Sequence, residues 1–178
     1  MTKPDKPMKT KDRILQGAKQ YLAEHGLAGF TVRSVAKEAG VNQGLVHHYF
    51  GSKENLVLEL IDHVVEAPFE QVKKTALDKS TEEIRTIILK YLLQNNELIN
   101  LMIEFIYLAQ HSPVIREKIK QIMKVRREFF TGLLGIENEE DRYAFNAGIF
   151  GIIFVHRIDG KVDVNTAIRK LFERFQLL

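Results

Sequence analysis

The chain has 178 residues, 45% of them hydrophobic and 28% charged, with a formal charge of +3 and no cysteine. That is an ordinary globular composition, long enough for one domain with a sizeable core or a small domain joined to a larger one. It excludes disulfides and thiolate catalysis and fits a reducing cytoplasm. The longest apolar run, residues 147–155, is far shorter than the roughly 20 residues a spanning helix needs. The basic start has no apolar stretch after it to make a secretory signal. A soluble, cytoplasmic protein that does not enter a membrane is expected.

Residues 1–8, with Pro4 and Pro7, read as a flexible tail. Ile14, Leu15, Ala18, Tyr21 and Leu22 recur at helical spacing, which predicts a helix over 11–25 stopped by Gly26. Thr31 caps a second helix carrying Val32, Val35, Ala36 and Ala39, and Gly40 ends it where a left-handed backbone suits glycine. Asn42 caps a third over 43–49, with Val46 and Phe50 inward. Ser52 caps a fourth, with Leu56, Val57, Leu60, Ile61, Val64 and Val65 inward. Pro68 should kink or end that helix and mark the boundary between a head, 9–69, and a body, 70–178. Glu59, Asp62, His63 and Glu66 share one face of it, either as the wet side of an amphipathic helix or as metal ligands.

In the body, Ser80 and Glu83 make a capping box for a helix with Ile84, Ile87, Ile88, Tyr91 and Leu92, stopping near Asn95 and Asn96. A very apolar helix follows over 98–110. Ser112 and Pro113 open the next, to about Gly135, and Asn138 opens another, to about Ile158. Asp163 or Asn165 opens the last, ending at Leu178. The fold class is all-α with nine helices and no convincing strand. No HExxH, Walker loop, GxGxxG or cysteine-based zinc spacing occurs, so no enzyme, metal site or cofactor is expected.

Residues 31–51 therefore form a helix-turn-helix, a motif whose second helix enters the DNA major groove. Residues 1–53 hold nine Lys or Arg against four acids, +5, while 54–178 hold seventeen against nineteen, −2. A basic head on a nearly neutral body suits a polyanionic partner. Gln43, Gly44, Leu45, His47 and His48 should face the duplex. Gln43 suits adenine, and Gly44 lets the backbone come close. Arg33 and Lys53 suit phosphates, with the free N–H groups of the fourth helix beside them.

The residues Thr31, Val35-Ala36, Ala39-Gly40-Val41, Asn42, Gly44, Val46, Tyr49-Phe50 and Lys53-Glu54-Asn55-Leu56 follow the DNA-binding signature of the tetracycline-repressor (TetR) family. The chain resembles that family over about residues 9–60. The resemblance implies a three-helix DNA-binding head, a nine-helix fold and a helical body for ligand binding and dimerisation. It also implies double-stranded palindromic operator DNA, a second copy of the chain and an unknown small-molecule inducer as partners. Thr31, Asn42 and Tyr49 join the candidate DNA-binding residues through the motif. His47 departs from it, standing where the family most often has Tyr. An imidazole still donates to a phosphate oxygen, with a strength sensitive to pH near neutrality. A DNA-binding structural or nucleoid-associated protein without an inducer is the alternative.

Asn100, Glu104, Tyr107 and His111 form one polar line on an otherwise apolar helix. It either faces solvent or lines a ligand cavity, with Tyr91, Asn146 and Arg157 as further candidates. Ala144, Gly148, Gly151 and Val155 make a small-residue stripe on a helix that is apolar nearly all round. One side of that helix can meet the core and the other a second subunit. The last helix, with Ile168 and Phe172, is its expected partner there, either in a four-helix bundle across a dimer axis, as the resemblance implies, or in a purely internal contact.

Overall fold

The computed structural model describes residues 9–76, 79, 80, 83, 86, 87, 90, 91, 96–161 and 163–177, all helix, turn or irregular, with no strand among them. The tail at 1–8, most of the helix expected after Ser80, and Leu178 lie outside the described residues. The complete elements are α1 (Thr10–His25), α2 (Val32–Glu38), α3 (Gln43–Phe50), α4 (Lys53–Ile61), α5 (Ala67–Ala76), α6 (Asn96–His111), α7 (Pro113–Leu133), α8 (Glu139–Asp159) and α9 (Val164–Arg174). Helices α4 and α5 are one rod, joined by a π-helical segment over Asp62–Glu66. Eight helical rods are thus complete among the described residues. The Ser80–Glu83 box also forms, with each residue's side chain bonding the other's backbone N–H.

Pro68 neither ends the rod nor stands at a break in it. The wide turn just before it, where Ala67 N–H bonds the Asp62 carbonyl five residues back, accommodates the ring. An i→i+5 turn takes up an extra residue at the point where proline removes a donor and crowds the carbonyl four residues earlier. The last helix is shorter than expected. It stops at Arg174, Gln176 takes a left-handed φ of 55°, and Leu177 N–H returns to the Phe172 carbonyl at 3.0 Å. That is the 6→1 bond of a Schellman ending, with Leu177 folded back into the core.

The chain forms two compact units. One contains the described residues up to Gln71 together with Glu97–Ile119, and the other Val72–Asn96 and Lys120–Leu178. In the first, Ile14, Ala18, Val35, Val46, Leu56 and Leu60 on the inward sides of α1 to α4, and Phe30 from the turn between α1 and α2, are all but fully buried. The corner between α6 and α7 is tied to the same unit by polar contacts. Ser112 donates its hydroxyl to Glu54 in the first turn of α4, and Lys118 pairs with Asp62. In the second unit, Phe145 of α8 meets Phe172 and Phe175 edge-on, with ring centres 5.2 and 5.3 Å apart, over Ile149, Ile153 and Ile168. Arg142 Nε donates to the Ile136 carbonyl at 2.8 Å and fixes the turn from α7 into α8.

Candidate nucleic-acid interface

The helix-turn-helix is held by short-range caps. Thr31 Oγ1 accepts from Ser34 N–H, and Ser34 Oγ accepts from Thr31 N–H, so α2 opens with a reciprocal box in which serine does the work usually given to glutamate. Asn42 Oδ1 accepts from Gly44 N–H at 2.8 Å and opens α3; Ser52 Oγ accepts from Asn55 N–H at 3.0 Å and opens α4. Each such cap contributes about 1 kcal/mol. Gly40, between α2 and α3, sits at φ +62°, and Gly51, between α3 and α4, at φ +70°. A side chain at either would be strained.

Two residues of α1, neither among the residues expected from the sequence to serve DNA binding, brace this motif. Arg13 Nη2 donates to the carbonyls of both Ala39 and Gly40, each at 3.2 Å, and so closes the end of α2. Gly17 is buried against the same place: a Cβ built on it would lie 2.7 Å from Ala39 N and 2.9 Å from Ala39 Cα. Only a glycine lets α1 come this near. An isolated glycine inside a helical pattern is a signal of close packing, so Gly17 was findable. Arg13 carries no local sign of its partner.

With Val46 and Phe50 buried, α3 presents Gln43, Gly44, Leu45, His47, His48 and Tyr49 outward, all exposed. Gln43 and His47, one helical turn apart, touch through Nε2 of each at 3.4 Å. The edges of the motif are cationic. Arg33 on α2 is exposed, and Lys53 at the start of α4 is exposed with its ammonium 5.4 Å from the centre of the Phe30 ring. Thr31 and Asn42 stand on the same surface, but their oxygens are already engaged in capping. The arrangement is an exposed helix face with donors and acceptors in its middle and positive charge at its sides.

Glu59 pairs with Lys11 at 2.7 Å and Asp62 with Lys118, so two members of the acidic stripe on the α4–α5 rod have cationic partners. The polar line on α6 stands mostly outside the core of its unit. Asn100, Tyr107 and His111 are exposed, Tyr107 by 54%, and Glu104 is half-buried with its carboxylate beside the turn after α1; a Cβ on Gly26 would lie 3.2 Å from Glu104 Oε1. The core side of α6 is instead Leu101, Met102, Phe105 and Ala109. Tyr91 and Asn146 are half-buried in the other unit, Tyr91 with its ring 5.8 Å from that of Phe130 and an Arg126 guanidinium 5.8 Å away. The side chain of Arg157 lies outside the described residues.

The dimer candidates also divide. Ile168 and Phe172 are fully buried in the core of their own unit, because α9 lays its apolar side on α8, and they offer nothing to a second copy. Gly148 belongs to that internal contact as well: a Cβ there would meet the Leu171 side chain at 2.9 Å. Ala144, Gly151 and Val155 are exposed. Around them stand Phe150, Phe154 and Ile158, the last two 53% and 71% exposed, so α8 carries an apolar stripe on its outer side.

Residues 14–60 match the model of bacterial regulatory proteins of the tetR family. The HTH-type transcriptional repressor AcnR of Corynebacterium glutamicum is 46% identical over 56 residues, 32% of this chain and 30% of that repressor. The chain thus matches less than a third of that relative's length. The fatty acid metabolism regulator protein of Bacillus subtilis is 28% identical over 134 residues, 72% of this chain and 69% of that protein. The fatty acid degradation regulator FadR from Bacillus halodurans has the same fold, with a TM-score of 0.72 at 22% identity over 96% of this chain and 95% of that one. These are regulators, not enzymes.

Proposed function

We propose that this chain, a member of the tetR family of bacterial regulatory proteins, is a homodimeric repressor that reads a palindromic operator and leaves it when a small molecule binds the body. The observation that carries the reading is the capped and braced α3, whose outward side is polar and exposed between Arg33 and Lys53. A helix so held presents its side chains to base edges without first having to be ordered. Phosphates bound at Lys53, Arg33 and the start of α4 would set its register, and Gln43 and His48 would meet the bases. Such a protein works in the cytoplasm, where bacterial DNA lies.

Two heads are needed for a palindrome, and the outer stripe of α8 is the surface for pairing. Phe150, Phe154 and Ile158 recur every four residues with Val155 beside them, as a helix-to-helix seam requires. The test of the whole reading is selection from random duplexes by the full chain. A pseudo-palindromic motif supports it. Enrichment of no motif at low salt would favour the alternative, a structural DNA-binding protein without an inducer.

Inducer release rests on the relatives. The Bacillus subtilis protein, whose match spans most of both chains, is named for fatty acid metabolism, so fatty acids are the first ligand class to try, with lipophilic cations second. The body unit, with Tyr91 and Asn146, is the place for the ligand. Release requires tighter binding to the DNA-incompetent state, typically by about 1–3 kcal/mol. A thermal-shift screen followed by operator release tests it; ligands that stabilise the protein and leave the operator complex intact would refute it.

A further inference from the structure

On the exposed side of α3, Gln43 and His47 lie one turn apart with their Nε2 atoms 3.4 Å from each other. Both atoms are nitrogens, so the contact works in one sense only. The amide donates, and the ring accepts through an unprotonated Nε2 with its proton on Nδ1. A primary amide has two N–H bonds, one on the side of its carbonyl oxygen and one opposite. Adenine is read by the carbonyl oxygen together with the N–H on its own side, which meet N6–H and N7. The opposite N–H is left over, and it is the one an acceptor further along the helix can hold.

We infer that His47 is a positioning residue for base recognition: it holds the spare N–H of Gln43, so that the amide presents its acceptor–donor pair to adenine in one fixed orientation. This deepens the proposed DNA reading and rests on it. Gln43 is otherwise a long, exposed side chain whose amide can turn over, and a turned amide puts donor and acceptor in the wrong order for adenine. His47 acts through Gln43 and not as a base contact of its own.

The experiment is selection from random duplexes by the full-length wild type and by Gln43→Ala, His47→Phe and His47→Gln. All three substitutions are at exposed positions of a helix fixed by other residues. The wild type should enrich adenine at one position of each half-site, and Gln43→Ala should lose that preference alone. His47→Phe keeps a ring and removes the acceptor. It should lower the adenine preference at that same position by about 3- to 10-fold, as loss of one hydrogen bond implies, and leave other positions unchanged. His47→Gln supplies a carbonyl acceptor and should restore most of it. If His47→Phe weakens binding to all duplexes equally with the preference intact, His47 is a phosphate contact and the inference is wrong. Failure of the wild type to enrich any motif would instead overturn operator reading itself, so the two failures are distinct.

Discussion

Replacing Gly17 by alanine sets two effects of opposite sign against each other. Alanine inside a helix is favoured over glycine by about 0.5–1 kcal/mol, so at a free site the change stabilises. At Gly17 the new methyl would lie 2.7–2.9 Å from the backbone of Ala39, which cannot swing aside as a side chain tip does. Restoring contacts of about 3.5–4.0 Å requires α1 and the end of α2 to part by nearly 1 Å. Overpacking of this kind costs about 1–3 kcal/mol, which leaves a net loss of roughly 1–2 kcal/mol and a Tm lower by about 2–8 °C. The same parting stretches both Arg13 bonds to Ala39 and Gly40, so operator affinity should fall too. Thermal melting is the assay, with Gly132→Ala as control, because nothing lies within 4 Å of a Cβ there and helix propensity alone should act. A Gly17→Ala protein that melts higher, as the control should, would show that α1 does not approach Ala39 this closely.

Phe154→Glu places a charge in the middle of the outer α8 stripe and should leave a folded monomer in sedimentation; an unchanged dimer would put the interface elsewhere. Arg13→Met should weaken operator binding several-fold with little loss of helicity, while equal affinity would show that the end of α2 holds without it. Asp163 caps α9, and the Thr166 hydroxyl first, then the Thr166 and Asn165 N–H groups, hold its carboxyl below the usual range. A depressed acid contributes stability at neutral pH that is lost as pH falls through the folded-state value. Wild-type Tm should therefore drop more on acidification than that of Asp163→Asn, and parallel curves would contradict this.

What could be read from the residues is what is local. Thr31, Asn42, Ser52, Asn138 and Asp163 each cap a helix through a partner two or three positions on, so the signal and its effect lie in one short window. The outward face of α3 followed from helical spacing once Val46 and Phe50 were placed inward. The braces were not legible in this way, because Arg13 and Gly17 meet residues 22 to 27 positions away. Pro68 misled because a lone proline gives no sign that a π-turn precedes it. The α6 line stayed open between solvent and a cavity because that helix has apolar residues on more than one side: Ile103 and Ile106 are exposed beside Tyr107, and periodicity does not say which side is covered. Ile168 and Phe172 misled for the converse reason, since an apolar side of α9 fits a core and a subunit contact equally well.

Titration of the full chain against the selected duplex, beside a duplex holding one half-site, tests the central claim most directly. Two chains should bind the full site, and none should bind the half-site at the same concentration. Substituting Gln43 should remove the preference, and substituting Lys53 should weaken binding uniformly with a shallower salt dependence. Equal affinity for the selected duplex, the half-site and unrelated DNA would contradict that claim.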